Sequence, residues 1–243
     1  MGDWLDINIF DGGNELPQAI ENRNDINEIM APEVRDDIPG FEGQDVVVFG
    51  SPIDTGNILD HNQGDNPFNV SGNCNLVSTS NFLNLCGISD ANESFITYYA
   101  IMNDECIYSE YLPPSDCGGS TTNNMQSILS DFGIETEVVR PYDSNGDIES
   151  IAARLEEGYV GAMGVNAGYL WDDPSSIQDG YANHEITLTG TVRDANGDLI
   201  ALTVCDSGTG EACHVVPIEQ FEYCFTNVPN ADVVFSTEPL RVI

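Results

Sequence analysis

The segment HEITLTGTVRDANGDLIALTVCDSG, residues 184 to 208, leaves this chain the least freedom. Ile186, Leu188 and Gly190 alternate with Thr187, Thr189 and Thr191, which predicts a strand with one apolar face. Asp194-Ala-Asn-Gly197 reads as a hairpin turn, and Leu199 to Cys205 returns as the partner strand. A hairpin closed at Asn196-Gly197 sets Asp206, at the end of the second strand, beside His184, at the start of the first. An imidazole held against a carboxylate on a rigid ladder is an oriented general base. Taken singly, each residue has a plainer reading: His184 as a satisfied strand-edge side chain, and Asp206 as the turn residue of a DSG corner.

An oriented base needs a nucleophile to serve. Seven cysteines are present, Cys74, Cys86, Cys106, Cys117, Cys205, Cys213 and Cys224. The odd count permits three disulfides and one free thiol, and bridges would place the chain in an oxidising compartment. Cys106 with Cys117, and Cys205 with Cys213 or Cys224, are close enough in sequence to pair. In SGNCNLVSTSNFLNLCG, residues 71 to 87, Leu76, Val77, Phe82, Leu83 and Leu85 recur at helical spacing, and Gly87 suits the position after a helix end. Cys74 then stands at the helix start, where unpaired N–H groups and the dipole stabilise a thiolate. Cys86 stands at the electronegative end. Twelve helical residues separate the two by about 18 Å, beyond disulfide reach. Cys74 is therefore either a nucleophile or half of a bridge to some other cysteine. The histidines that could serve it are His61, His184 and His214, and His184 has the most rigid setting. A Gln side chain before a nucleophile can donate to a developing oxyanion, and Gln63 lies eleven residues upstream of Cys74; taken singly it carries almost no signal.

Charge excludes several partners. The chain of 243 residues has 41 acidic residues against six arginines and no lysine, a formal net charge of −35. Such a surface repels phosphate backbones and anionic lipid, so no nucleic acid is expected as a partner. No apolar run is long enough for membrane insertion. The opening MGDWLDINIF lacks the basic region and long apolar core of a signal peptide. Residues 1 to 45 hold twelve acids and short apolar pieces at Trp4-Leu5 and Ile7 to Phe10; they read as an acidic, irregular N-terminal arm. Residues 46 to 243 read as one domain.

Within that domain Asp45 to Phe49 is a strand candidate, followed by a polar loop up to Asn73. Residues 92 to 103 predict a helix with Phe95, Ile96, Tyr99 and Met102 on one side. Thr121 or Thr122 caps a helix carrying Met125, Ile128, Leu129 and Phe132, and Ile134 to Val139 is a strand. Asp147 caps a helix with Ile148, Ile151, Ala152 and Leu155 as its stripe. Tyr159 to Val165 is a buried strand, Pro217 to Phe225 a short helical piece and Asp232 to Ser236 a last strand. Helices first and an antiparallel sheet afterwards make an α+β fold. Asp143 to Asp147 reads as a turn with an N-cap, since Ile148 and Arg154 occupy positions a calcium loop reserves for Gly and Glu. Cys213-His214 fits no common zinc spacing. Trp171-Asp-Asp-Pro174 reads as a loop before His184 that either borders a cleft or packs.

With Gln63, Cys74, His184 and Asp206 in this order, the chain resembles the papain-like cysteine peptidases, and within them the bacterial C39-like group. The resemblance runs over roughly residues 50 to 238 and rests on four segments. GSPIDTGNILDHNQG before GNCNLVSTSNFLNLCG is similar to the oxyanion-Gln and nucleophile segment, and CGGSTTNNMQSILSDFGIET to the Gly-Gly loop and its helix. IESIAARLEEGYVGAMGVNAGYLW is similar to the helix and strand between the catalytic halves, and ANHEITLTGTVRDANGDLIALTVCDSG to the His strand and its Asp-bearing partner. It implies a papain-like fold with a helical N-terminal half bearing the nucleophile helix and a C-terminal antiparallel sheet carrying His and Asp. It further implies Cys74 as nucleophile, His184 as base and acid, Asp206 as orienter and Gln63 as oxyanion donor, with no cofactor and no metal. An insertion, GDNPFNVSGN, separates Gln63 from Cys74, and leaves Asn73 or Asn69 as alternative donors. Glu185 follows the base, and by alternation is expected to point away from its face. The implied substrate is a peptide or protein cleaved at a peptide or isopeptide bond, and the acidic surface favours a basic or neutral strand if the cleft shares that charge; deamidation and acyl transfer are open to the same chemistry. The expected setting is secreted or extracellular, as an effector or toxin module of a larger exported protein. Two other function classes compete. In one, the same fold is catalytically silent, an acidic, disulfide-stabilised binding module with Cys74 bridged. In the other, the chain mimics nucleic acid by charge alone.

Overall fold

In the computed structural model, which describes residues 30–242, two short strands come first. They are β1 (Glu33–Arg35) and β2 (Val46–Phe49), paired antiparallel. Ile38 between them is fully buried and packs with Val46, Val48, Val192 and Ala201. The boundary drawn at residue 45 therefore falls inside a paired ladder; Trp4-Leu5 and Ile7 to Phe10 lie outside the described residues. A helix the polar composition hid, α1 (Pro52–Ile58), follows β2 directly. It starts from Ser51 in the left-handed region, at φ 41°.

The helix expected at residues 74 to 85 is α2 (Cys74–Leu85). It is buried almost all round, so its polar residues need partners inside the protein. Thr79 Oγ1 donates to the Asn75 carbonyl at 2.8 Å, and Ser80 Oγ donates to the Ala91 carbonyl. The Asn81 amide takes both backbone groups of Asp60, accepting from its N–H and donating to its C=O, each at 2.8 Å. Against α2 pack α3 (Glu93–Met102) and α4 (Thr122–Asp131), around Leu76, Phe82, Leu83, Ile96, Met125 and Ile128. Thr121 and Asn124 close a reciprocal capping box on α4. The inward side of α3 is Glu93, Ile96, Thr97 and Ala100, and Met102, expected on the apolar side, is 63% exposed.

After α4 come β3 (Thr136–Val139), α5 (Ile148–Glu156), β4 (Gly161–Val165) and a single turn, α6 (Ala167–Leu170). Asp147 caps α5 by accepting from the Ser150 N–H at 2.9 Å. The hairpin then appears as β5 (His184–Arg193) and β6 (Leu199–Asp206). A strand not foreseen, β7 (Glu211–Pro217), pairs with β6. A short turn, α7 (Ile218–Phe221), runs into a π-helical turn over Glu222–Thr226, and β8 (Val233–Ser236) closes the sheet. The described strands form one antiparallel eight-stranded sheet in the order β1-β2-β5-β4-β8-β3, with β6 and β7 beyond the other edge of β5. The architecture is mixed α and β around that antiparallel sheet.

β5 does not keep one apolar face. Its pairing with β6 slips by one residue between Leu188 and Gly190, the mark of a β-bulge. Ahead of the bulge Ile186 and Leu188 join the core that contains α5; beyond it Thr191 and Arg193 bond Glu156 of α5, while Val192 joins the core of β2. Both faces of the strand are covered, and the alternation of threonine with apolar residues reverses side halfway. Gly190 permits this, because a Cβ there would lie 2.2 Å from the Phe49 carbonyl oxygen. Gly190→Ala is expected to destabilise the protein by about 3 kcal/mol in urea unfolding; a change below about 0.5 kcal/mol would mean the strand yields there.

Candidate active site

Cys74 is the first residue of α2, and Asn73 before it makes no side-chain cap. The first-turn N–H groups are thus available. The His184 side chain and the backbone N–H groups of Asn75 and Glu185 stand close to the Cys74 thiol and favour its ionised form. Burial pushes the Cys74 thiol up, but the hydrogen bond and charge of His184, with the two N–H groups, outweigh it and hold the thiol below its ordinary value. Burial dominates at five of the other cysteines. It pushes Cys86, Cys205 and Cys224 up to about 12, and Cys106 and Cys213 up to about 11.

The hairpin sets Asp206 Oδ1 at 2.7 Å from His184 Nε2, which leaves Nδ1 to face the thiol. Burial disfavours the imidazolium, yet Asp206 and Cys74 together raise His184 well above the usual histidine range. Burial likewise disfavours the Asp206 carboxylate, but His184, His214 and Trp171 hold it far below the usual range. Cys74, His184 and Asp206 stand in one line, and each shift favours the charged form of its group. Both Asp206 oxygens are engaged. Oδ1 also accepts from the Gly208 N–H at 2.8 Å, and Oδ2 accepts from Trp171 Nε1–H at 2.7 Å. The Trp171 ring lies 5.0 Å from the His184 ring and covers one side of the base. Gly208 makes room for both rings, since a Cβ there would meet the indole at 2.5 Å and His184 Cε1 at 3.1 Å. Trp171, read in sequence as either a cleft border or a packing residue, thus also orients the acid. His214 was seen only as one of three histidines; its Nδ1 is 3.7 Å from Asp206 Oδ2 across the β6–β7 ladder. Without β7 in the expected fold, nothing in the sequence pointed to that neighbour. His61 instead faces the Leu59 carbonyl.

Gln63 is not among the residues that line the cleft at Cys74 and His184, and its bonds tie the loop before Cys74 to the turn after Asp206. Its Nε2 donates to the Ser71 carbonyl at 2.8 Å, its Oε1 accepts from Ser207 Oγ, and its backbone N–H donates to the Ser207 carbonyl. The Asn81 clasp on Asp60 fixes the loop that carries it. The Asn73 amide donates to Glu93 at 2.6 Å and to Thr97 at 3.3 Å, so its N–H groups are committed away from Cys74. Asn69 is exposed and does not line the cleft.

Cys74 and His184 open onto a cleft of about 310 Å³ whose walls include Gly119, Ser120, Asn183 and Asn230. Glu185, expected to turn away from the base, does not leave the site. Its carboxylate is buried in the wall of the same cleft, beside Asn75 and Asp232. Neither Asp232 nor its pairing with Glu185 had a local signal, since 47 residues separate the two. All seven cysteines are free thiols, so the expected bridges are not formed. Among the described residues no helix is long and apolar enough to cross a membrane.

No family model matches the chain, and no curated protein matches it. Among solved structures, it is similar to the crystal structure of a double glycine motif protease from an AMS/PCAT transporter in complex with the leader peptide. The identity is 15%, the TM-score 0.40, and the match covers 73% of this chain and 96% of that one.

Proposed function

We propose that this chain is a cysteine-dependent hydrolase with a papain-like arrangement, acting on amide bonds of peptide or protein substrates. The observation that carries the reading is the continuous line from the Cys74 thiol through the His184 ring to Asp206, closed by the 2.7 Å bond to Nε2. The Cys74 thiolate attacks the carbonyl carbon, and the developing oxyanion takes hydrogen bonds from the Cys74 N–H and the second Nε2 hydrogen of Gln63. His184 then protonates the leaving amine, giving a thioester. A water that gives its proton to the same ring hydrolyses the thioester, and the free acid leaves. The chemistry needs no cofactor. We assign the chain an exported setting as well, on the strength of its acidity alone. The rival reading of a silent binding module called for a bridged Cys74, and a free thiol there supports the catalytic reading instead.

The test is alkylation of the native, unreduced protein with limiting iodoacetamide, with each cysteine followed by peptide mass spectrometry. Cys74 is expected to react fastest of the seven, at least about 100-fold ahead of Cys86, Cys205 and Cys224 at pH 7. Digestion of a mixed peptide library is expected to stop in Cys74→Ala. A Cys74 that reacts no faster than the buried thiols overturns the proposal, as does library cleavage that survives Cys74→Ala.

A further inference from the structure

One wall of the cleft is built unlike the rest. Glu185 is only 8% exposed, and its Oε1 is buried without a hydrogen-bond partner. Asp232, also 8% exposed, accepts from Thr122 Oγ1 through both oxygens, at 3.1 and 3.2 Å. The two carboxylates converge over Gly164, which lines the cleft as a residue with no side chain. The point where a Cβ of Gly164 would stand is 3.5 Å from Glu185 Oε2, 3.6 Å from Asp232 Oδ1 and 3.7 Å from the Asp232 carbonyl oxygen. Three oxygens around one point, two of them from carboxylates, form a cradle for a cation.

The neighbours leave this cradle acidic. Glu185 faces Asn75, Asp232, Cys74 and His184, and Asp232 faces Thr122 with Arg140 further off. Burial first, and then the Asp232 charge, push the Glu185 carboxyl up; burial likewise raises Asp232. A buried acid beside a second acid is an unfavourable arrangement that a cation between them relieves. Because Cys74, His184, Gly164, Glu185 and Asp232 line one cleft, the cradle lies beside the reacting atom.

We propose that Glu185 and Asp232, over Gly164, form a subsite that selects a lysine or arginine side chain adjoining the bond to be cleaved. The proposal rests on Cys74 being the nucleophile, and it extends that reading from reaction type to substrate class. The surface of −35 attracts cations in general. The subsite differs in that two residues carry it and salt does not erase it.

Three small thiol reagents separate the cases: 2-aminoethyl, 2-sulfonatoethyl and methyl methanethiosulfonate, cationic, anionic and neutral. In each case the Cys74 thiolate displaces a sulfinate, a mixed disulfide forms, and mass spectrometry follows Cys74 in 0.5 M NaCl. The ratio of cationic to anionic rate is expected to fall at least about tenfold in Glu185→Gln and again in Asp232→Asn; each rate is divided by that of the neutral reagent on the same variant, so a change in thiol ionisation common to all three reagents cancels. Circular dichroism reports that each variant is folded. A ratio unchanged in both variants overturns the subsite and leaves the nucleophile standing. Slow neutral labelling of Cys74 in the wild-type protein, insensitive to His184→Ala, overturns the nucleophile instead.

Discussion

His184→Ala is expected to cut amide hydrolysis by at least about 10³-fold, because one ring supplies both the proton for the leaving amine and the charge that keeps the thiol ionised. Alkylation separates the two roles, since a preformed alkylating agent needs the thiolate and no general acid. In the wild type the Cys74 thiol lies below its ordinary value and His184 above its own. Activity is therefore expected to have an acid limb where the thiolate takes a proton, at a pH below the usual thiol range. Its alkaline limb is expected where His184 loses its proton, at a pH above the usual histidine range. In His184→Ala burial is left to act on the thiol, and its ionisation moves up. The ratio of wild-type to variant alkylation is then expected to widen by about tenfold for each unit of falling pH, until the wild-type thiolate itself protonates. Stopped-flow alkylation between pH 4 and pH 9 checks this. Parallel profiles for the two proteins would remove the imidazole from the mechanism.

Asp206→Asn is expected to be damaging for a reason specific to this site. In a papain-like constellation an amide can hold the histidine as well as a carboxylate can. Here both oxygens must accept: Oδ1 from His184 and Gly208, and Oδ2 from Trp171. An asparagine that keeps its oxygen toward His184 points an NH₂ at the indole N–H, donor against donor, in a fully buried spot. The reverse orientation turns the donor toward His184 and imposes the wrong tautomer. The expected cost is about 2–3 kcal/mol of stability and about 100-fold or more in turnover. Trp171→Phe removes the opposing donor, so the new NH₂ no longer faces the indole N–H. The double variant Asp206→Asn with Trp171→Phe is therefore expected to be less impaired than the single losses add up to, by at least about 1 kcal/mol in a double-mutant cycle. Additive losses would mean that Trp171 only packs.

Where chemistry and local pattern coincide, the sequence is enough to place residues. The helix at Cys74 declares itself through its apolar spacing and Gly87, and the hairpin through its turn, which is why His184 and Asp206 could be set together before any coordinates. What escaped was set by contacts between distant segments. The helix α1 begins at a left-handed serine and contains Gly56, whose close approach to the Ala212 carbonyl matters only once β7 exists. The strand β7, EACHVVP, has one buried position and ends in proline, so its alternation is weak. The bulge in β5 depends on Phe49 standing over Gly190, and it reverses an alternation that looked unbroken. Glu185 was seen as a residue, but its burial in the cleft wall depends on Asn75 and Asp232, which come from opposite ends of the fold. The seven cysteines suggested a covalent framework; the free thiols leave cohesion to the cores on either side of the sheet.

The position of the sulfur between α2 and β5 also orders events in time. Residues 74 and 184 lie 110 positions apart, and the N–H of Glu185 and the ring of His184 are two of the contacts that lower the thiol. Ribosomes extend a chain by roughly 5–20 residues per second, so the helix bearing Cys74 is made about five to twenty seconds before its histidine. Over that interval it carries an ordinary, weakly reactive thiol. Docking of the hairpin supplies those contacts, and a nascent or truncated chain lacking β5 is expected to leave the Cys74 thiol at its ordinary reactivity.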